Sequence, residues 1–200
     1  MTDKDGNMGS TRCEECGDDA PGYDIVSYGS MDHGYRQLCT RCFNAEVAKR
    51  IGLEGFQNVR LEPVGMIDSA GETHQFHFRT RLTGQHISLE AFELKEGNPA
   101  GHQFQILGDP DEDVFEIMAR MVERIRRTIS RTHLVDEGHG IQIAEQTVRG
   151  HIDCDLSEGD SRPLLVVDGR EVSWDDFGRM LMAFEGWNFK IELFDPSDEP

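Results

Sequence analysis

Two Cys-x-x-Cys pairs, Cys13 with Cys16 and Cys39 with Cys42, stand near the start of the chain with 22 residues between them. Four thiolates at that spacing point to one closed tetrahedral shell. Zinc suits such a shell because its filled d subshell imposes no geometry of its own. The expectation is therefore one structural Zn2+ per chain, held by Cys13, Cys16, Cys39 and Cys42. A rubredoxin-like iron site is the alternative, since ligand softness and geometry alone do not separate the two metals.

The residues around the cysteines fix a local fold. Gly17 follows the first pair and allows the tight turn that aims backbone amides at the thiolates. Tyr23–Tyr28 and Gly34–Cys39 read as two strands joined by the turn-rich stretch Gly29–His33. The second pair opens a run of helix formers, Phe43–Ile51, which ends at Gly52, where a helix C-terminus favours a left-handed residue. Knuckle, hairpin and helix in this order resemble the treble-clef class of zinc fingers over about residues 12–55. That resemblance implies a fold and a metal. The class hosts DNA binders, ubiquitin-system modules, ribosomal proteins and structural domains alike, so it implies no single function.

Other uses of cysteine fit less well. The N-terminus carries no apolar leader and the chain has no Asn-x-Ser/Thr site, so the expected setting is the reducing cytoplasm, where disulfides do not persist. No βαβ pattern flanks the pairs, as a redox Cys-x-x-Cys would require. The fifth cysteine, Cys154, alternates with Ile152 and Leu156 and is expected to be a small buried side chain outside the metal shell.

Charge narrows the partner. Against 38 acidic residues stand 20 basic ones, a formal net charge of −18, which repels phosphate backbones and disfavours nucleic acid. The finger does not reverse the balance, with six Lys or Arg against eight Asp or Glu between Arg12 and Arg60. The partner expected is another protein, with nucleic-acid binding as the alternative function. No apolar run reaches membrane-spanning length.

Beyond the finger the pattern is α+β. Strands are expected at Val59–Ile67, His74–Leu82, His86–Leu94 and His102–Leu107, the last two separated by the loop Gly97–Gly101. In the second, Phe76, Phe78 and Leu82 share a buried face, while His77, Arg79 and Arg81 share a solvated one. The histidines of this region read as solvated sheet residues. A long helix follows Gly108–Asp113 and runs to about Leu134, its apolar arc containing Val114, Phe115, Ile117, Met118, Met121, Val122, Ile125 and Ile129. Arg120, Arg124, Arg127 and Arg131 lie opposite, with Glu116 and Glu123 four residues before Arg120 and Arg127.

The last third reads as a Gly-rich turn at 135–140, a strand region at Gln146–Leu156, a loop at Glu158–Arg162, and a hairpin turning on Asp168-Gly169. Ser173 caps a helix with Trp174, Phe177, Met180, Leu181 and Phe184 on one face, ending at Gly186. Trp187, Phe189, Ile191 and Leu193 then alternate with polar residues as in a strand, before an acidic tail that frays from Asp195. The stretch Trp174–Gly186 resembles a segment of an uncharacterised bacterial family, which implies no activity.

The expected architecture is a small treble-clef-like module followed by antiparallel sheet packed with two helices. Residues 1–11 form a flexible N-terminus, 12–55 the zinc module, 56–195 an α+β domain with halves 56–134 and 135–195, and 196–200 an acidic tail. The function expected is a zinc-binding adaptor or regulatory protein. An enzyme reading would rest on His151, Asp153 and Asp155, which share a strand face. The chain has no Gly-x-x-x-x-Gly-Lys, Gly-x-Gly-x-x-Gly, His-Glu-x-x-His or Gly-x-Ser-x-Gly to support it.

Overall fold

A computed structural model describes residues 10–136, 138, 140–155 and 162–198. Most of the expected flexible N-terminus, Glu137 and His139 of the Gly-rich turn, Leu156, the loop from Glu158 to Ser161 and the last two tail residues lie outside the described residues. The fold is α+β, with every strand pairing antiparallel.

A ribbon of β1 (Ser10–Arg12) and β2 (Asp19–Pro21) and a hairpin of β3 (Ile25–Ser30) and β4 (Gly34–Cys39) lead into helix α1 (Thr40–Ile51). Gly52 ends α1 in the left-handed conformation, with φ of 72°. Its N–H donates to Lys49 O and that of Leu53 to Ala48 O, so two terminal carbonyls find partners as the sequence predicts.

The central sheet is a meander of β5 (Val64–Ile67), β6 (Thr73–Thr83), β7 (His86–Lys95) and β8 (Asn98–Gly108). Two boundaries differ from expectation. Residues 59–63 are not strand, because β6 is paired on that side only from Thr73 to Phe76; instead Val59 and Leu61 pack against the core. Asn98–Gly101 is strand rather than loop, because the turn is made by Glu96 and Gly97 alone, with φ of 52° and 79°.

Helix α2 (Val114–Ile129) covers one face of this sheet. The Asp113 carboxylate caps it, accepting from Phe115 N at 2.9 Å. Val114, Ile117, Met121, Ile125 and Ile129 are buried with Phe76, Ile87, Leu89 and Ala91. Burying those five helix side chains is worth of the order of 10 kcal/mol before the entropy of ordering them. Phe115, expected in the apolar arc, is 61% exposed. The helix also stops five residues short of Leu134, where Ser130 turns its hydroxyl onto Arg127 O. Arg120 pairs with Glu112 rather than Glu116, and Arg124 donates to Gln105 O and Asp198 O.

The opposite face of the sheet, expected to be wet, is covered by the N-terminal module. The Tyr23 ring meets His77 and Phe92 edge-on, with centroids 6.1 and 5.4 Å away. Arg79, paired with Glu90, donates to Tyr23 O. Asn44, in the middle of α1, docks on the edge of β6 that β5 leaves open: its Nδ2 donates to Thr80 O at 2.7 Å and its Oδ1 accepts from Leu82 N at 2.9 Å.

The last third has its own apolar cluster of Leu134, Val167, Val172 and Met180. It contains the pair β9 (Leu134–Asp136) and β10 (Ile141–Ile143), the sheet β11 (His151–Asp155), β12 (Arg162–Val167) and β13 (Arg170–Ser173), and helix α3 (Trp174–Leu181). The Ser173 hydroxyl accepts from Asp176 N at 3.1 Å, the expected cap. Asp168 and Gly169 turn the β12–β13 hairpin with φ of 49° and 71°. The Asp168 carboxylate also receives the amides of His133 and Leu134.

Three expectations fail here. The strand expected from Gln146 begins only at His151. No described layer covers that face of β11, so Ile152 and Cys154 are exposed rather than buried. Residues 187–194 form no strand, since no described strand pairs with them. The tail beyond turns back at Asp195, whose carboxylate accepts from Ser197 N.

Candidate metal centre

Cys13 and Cys16 flank the turn after β1, and Gly17 closes it with φ of 79° and an N–H donated to Cys13 O at 2.9 Å. Arg12 Nε donates to Gly17 O, and Glu14 exchanges hydrogen bonds with Gln37 on β4, which fixes the first turn against the hairpin. Cys39 ends β4 and Cys42 lies in the first turn of α1, so the second pair sits where a helix dipole favours negative charge. The four sulfurs come together within 4.8 Å of one another, with Cys16 Sγ and Cys39 Sγ 4.0 Å apart. A tetrahedron with metal–sulfur bonds of about 2.3 Å has edges of about 3.8 Å, so small side-chain rotations close the shell.

Electrostatics favour a cation between them. Burial pushes the Cys13 thiol up, but backbone hydrogen bonds at Cys16, Cys39 and Glu15 outweigh it and bring the thiol down to about 6. Burial and the neighbouring thiols push Cys42 strongly up. One thiolate forms readily and the next ones repel it, unless a divalent ion neutralises the set. Cys13 is almost fully buried, and Ala20, Leu38 and Phe43 pack around the cluster. The four cysteines named from the sequence are thus together, while Cys154 is exposed on β11 and outside the group.

His151, Asp153 and Asp155 face Val166, Leu164 and Arg162 across the β11–β12 pair. They form no ligand cluster among the described residues.

A second cluster was not legible as one. His74 on β6, Glu93 on β7 and His102 on β8 meet at one end of the central sheet. His74 Nδ1 and His102 Nδ1 each lie 2.9 Å from a different Glu93 oxygen, and His74 Nε2 lies 3.2 Å from Asp68 Oδ2. All are largely buried, which corrects the reading of these histidines as solvated. Burial raises the Glu93 carboxyl, but hydrogen bonds from the His102 side chain and amide and from His74 hold it down at about 2. Burial lowers His74, and its bonds to Glu93 and Asp68 more than reverse this. A signal did exist in the sequence. His74 has the parity of Phe76 and Phe78, so alternation alone places it on the buried face.

Three family models match successive parts of the chain. Each is described as a domain of unknown function: DUF7685 over residues 12–54, DUF7686 over residues 57–130 and DUF7713 over residues 133–198. No curated protein and no solved structure matches the chain. Among the described residues no helix is long and apolar enough to cross a membrane.

Proposed function

We propose that this chain is a zinc-stabilised cytoplasmic adaptor that binds another protein through its segment Trp187–Phe194. The four-cysteine cluster carries the metal part. Its all-sulfur set of four donors, with Cys13 and Cys39 buried, suits a structural zinc rather than a reactive one.

The single observation behind the adaptor role is the state of that segment. Trp187, Phe189, Ile191, Leu193 and Phe194 are all exposed, Phe189 by 87% and Ile191 by 70%. Apolar and polar residues alternate from Trp187 to Leu193 as in a half-buried strand, and Lys190 pairs with Glu192 two positions on, yet no described strand takes the segment as a partner. Such a stretch suits a partner with an open sheet edge, where main-chain bonds give affinity and alternate side chains give specificity. The net charge of −18 favours a protein over a nucleic acid.

Co-purification from the native host tests this, with the wild type beside a variant in which Trp187, Phe189, Ile191 and Leu193 are all serine. A stoichiometric partner protein captured by the wild type and lost from the variant is expected. If the segment instead holds two copies of this chain together, or if the same partner is retained by the variant, the adaptor reading fails.

A further inference from the structure

We propose that His74, Glu93 and His102 form a second metal site, independent of the cysteines, that holds a divalent transition-metal ion with a coordination position left open. Two imidazoles and a carboxylate are a donor set for zinc and its first-row neighbours, and three protein ligands leave room for a water or a substrate atom.

The backbone is shaped around this trio. Between Phe92 and Glu93 the β7–β8 register slips: Phe92 faces Gln103 but Glu93 faces Ala100, so Gly101 and His102 are the extra residues of a bulge. The bulge frees the His102 amide from the ladder, and that amide donates to Glu93 Oε2 at 2.8 Å. Glycines stand where a side chain would collide with the ligands. A Cβ on Gly101 would lie 2.4 Å from Glu93 Oε2, and one on Gly169, at the tip of the β12–β13 hairpin, 2.8 Å from His102 Nδ1.

The donor spacing fits an ion. Ligands about 2.0 Å from a tetrahedral metal lie about 3.3 Å apart, and the nitrogen–oxygen separations of 2.9 Å reach this with small shifts. To bind, each imidazole takes its Nε2–H form: the Nδ1 proton it now directs to Glu93 leaves to solvent, which supplies Nε2 with a proton where it lacks one, and the lone pair freed at Nδ1 turns to the ion. His74 would keep its Nε2–H on Asp68, the carboxylate–histidine–metal arrangement that fixes a ligand's tautomer. Asp68 is already held for that task, since its other oxygen accepts the amides of Ala70 and Glu72 at 2.9 and 2.8 Å. His74 and His102, though not Glu93, line a cleft of about 100 Å3 with Arg131 and Asp168, which brings solvent to the two imidazoles.

Cobalt(II) titration of the full-length protein separates this site from the cysteines by colour, because sulfur-to-cobalt charge transfer arises only at thiolates. Beyond the equivalent that produces that band, a second equivalent is expected to bind without adding to it. Glu93→Gln and His102→Ala should abolish the second equivalent and keep the sulfur band, His151→Ala should keep both, and Asp68→Asn should weaken the second by roughly 10–100-fold. Saturation at the sulfur site alone, or a second equivalent that survives Glu93→Gln or His102→Ala, overturns the proposal and leaves the trio as a hydrogen-bonded cluster.

Discussion

Asn44 is the residue on which the joint between the metal module and the sheet depends, and Asn44→Ala tests that joint directly. Its side chain is 1% exposed and satisfies two main-chain groups on the free edge of β6, Thr80 O and Leu82 N. Alanine leaves both without a partner in a buried place. Each orphaned group costs about 1–3 kcal/mol, so the variant should lose about 3 kcal/mol, which for a chain of this size lowers Tm by roughly 6–12 °C. The cause is separable from a general loss of packing. Hydrogen exchange should show the Leu82 amide losing protection more than its β7-bonded neighbours, and Asn44→Asp, which keeps an acceptor for Leu82 N, should restore that amide while still failing at Thr80 O. A loss under about 0.5 kcal/mol, typical of surface changes, or an unchanged Leu82 amide in Asn44→Ala, would refute the assignment.

Other expectations follow from single contacts. Ser173→Ala should cost about 1 kcal/mol by freeing Asp176 N at the start of α3, read from chemical denaturation. Gly169→Ala should cost more than about 1 kcal/mol, since it puts a Cβ at φ of 71° and against His102, and the loss should show in the same denaturation assay. In gel-shift titrations at physiological salt, duplex and single-stranded DNA should remain unretarded at submicromolar protein, as the net charge of −18 requires.

What the sequence made legible was local. The knuckle at Cys13–Gly17, the Gly52 helix end, the Asp113 side of α2, the Ser173 cap and the Asp168-Gly169 turn are each written in residues within a few positions of one another, where one backbone conformation dictates one residue type. What was missed depends on long-range pairing. Asn44 looks like any polar helix residue until β6 is seen to have an open edge. His77 and Arg79 look solvated until Tyr23 lies over them. His74, Glu93 and His102 are separated by 19 and 9 residues, and a bulge that no local pattern announces brings His102 to Glu93. The reverse failure occurs at Ile152, where alternation reads correctly as a strand face but cannot say whether another layer covers it, and at 187–193, where alternation announces a strand that no described strand pairs with.

The cluster of Cys13, Cys16, Cys39 and Cys42 is expected to hold one zinc, and the module around it to depend on that ion. Elemental analysis of the purified wild type, Cys39→Ser and Cys154→Ser decides it, read together with amide protection across residues 12–54. Cys39→Ser should lose one equivalent of zinc and with it the protection of that segment, whose small core cannot hold without the ion, while Cys154→Ser keeps both. Iron in place of zinc, metal lost with Cys154 instead of Cys39, or a Cys39→Ser protein that keeps its full metal content would contradict it.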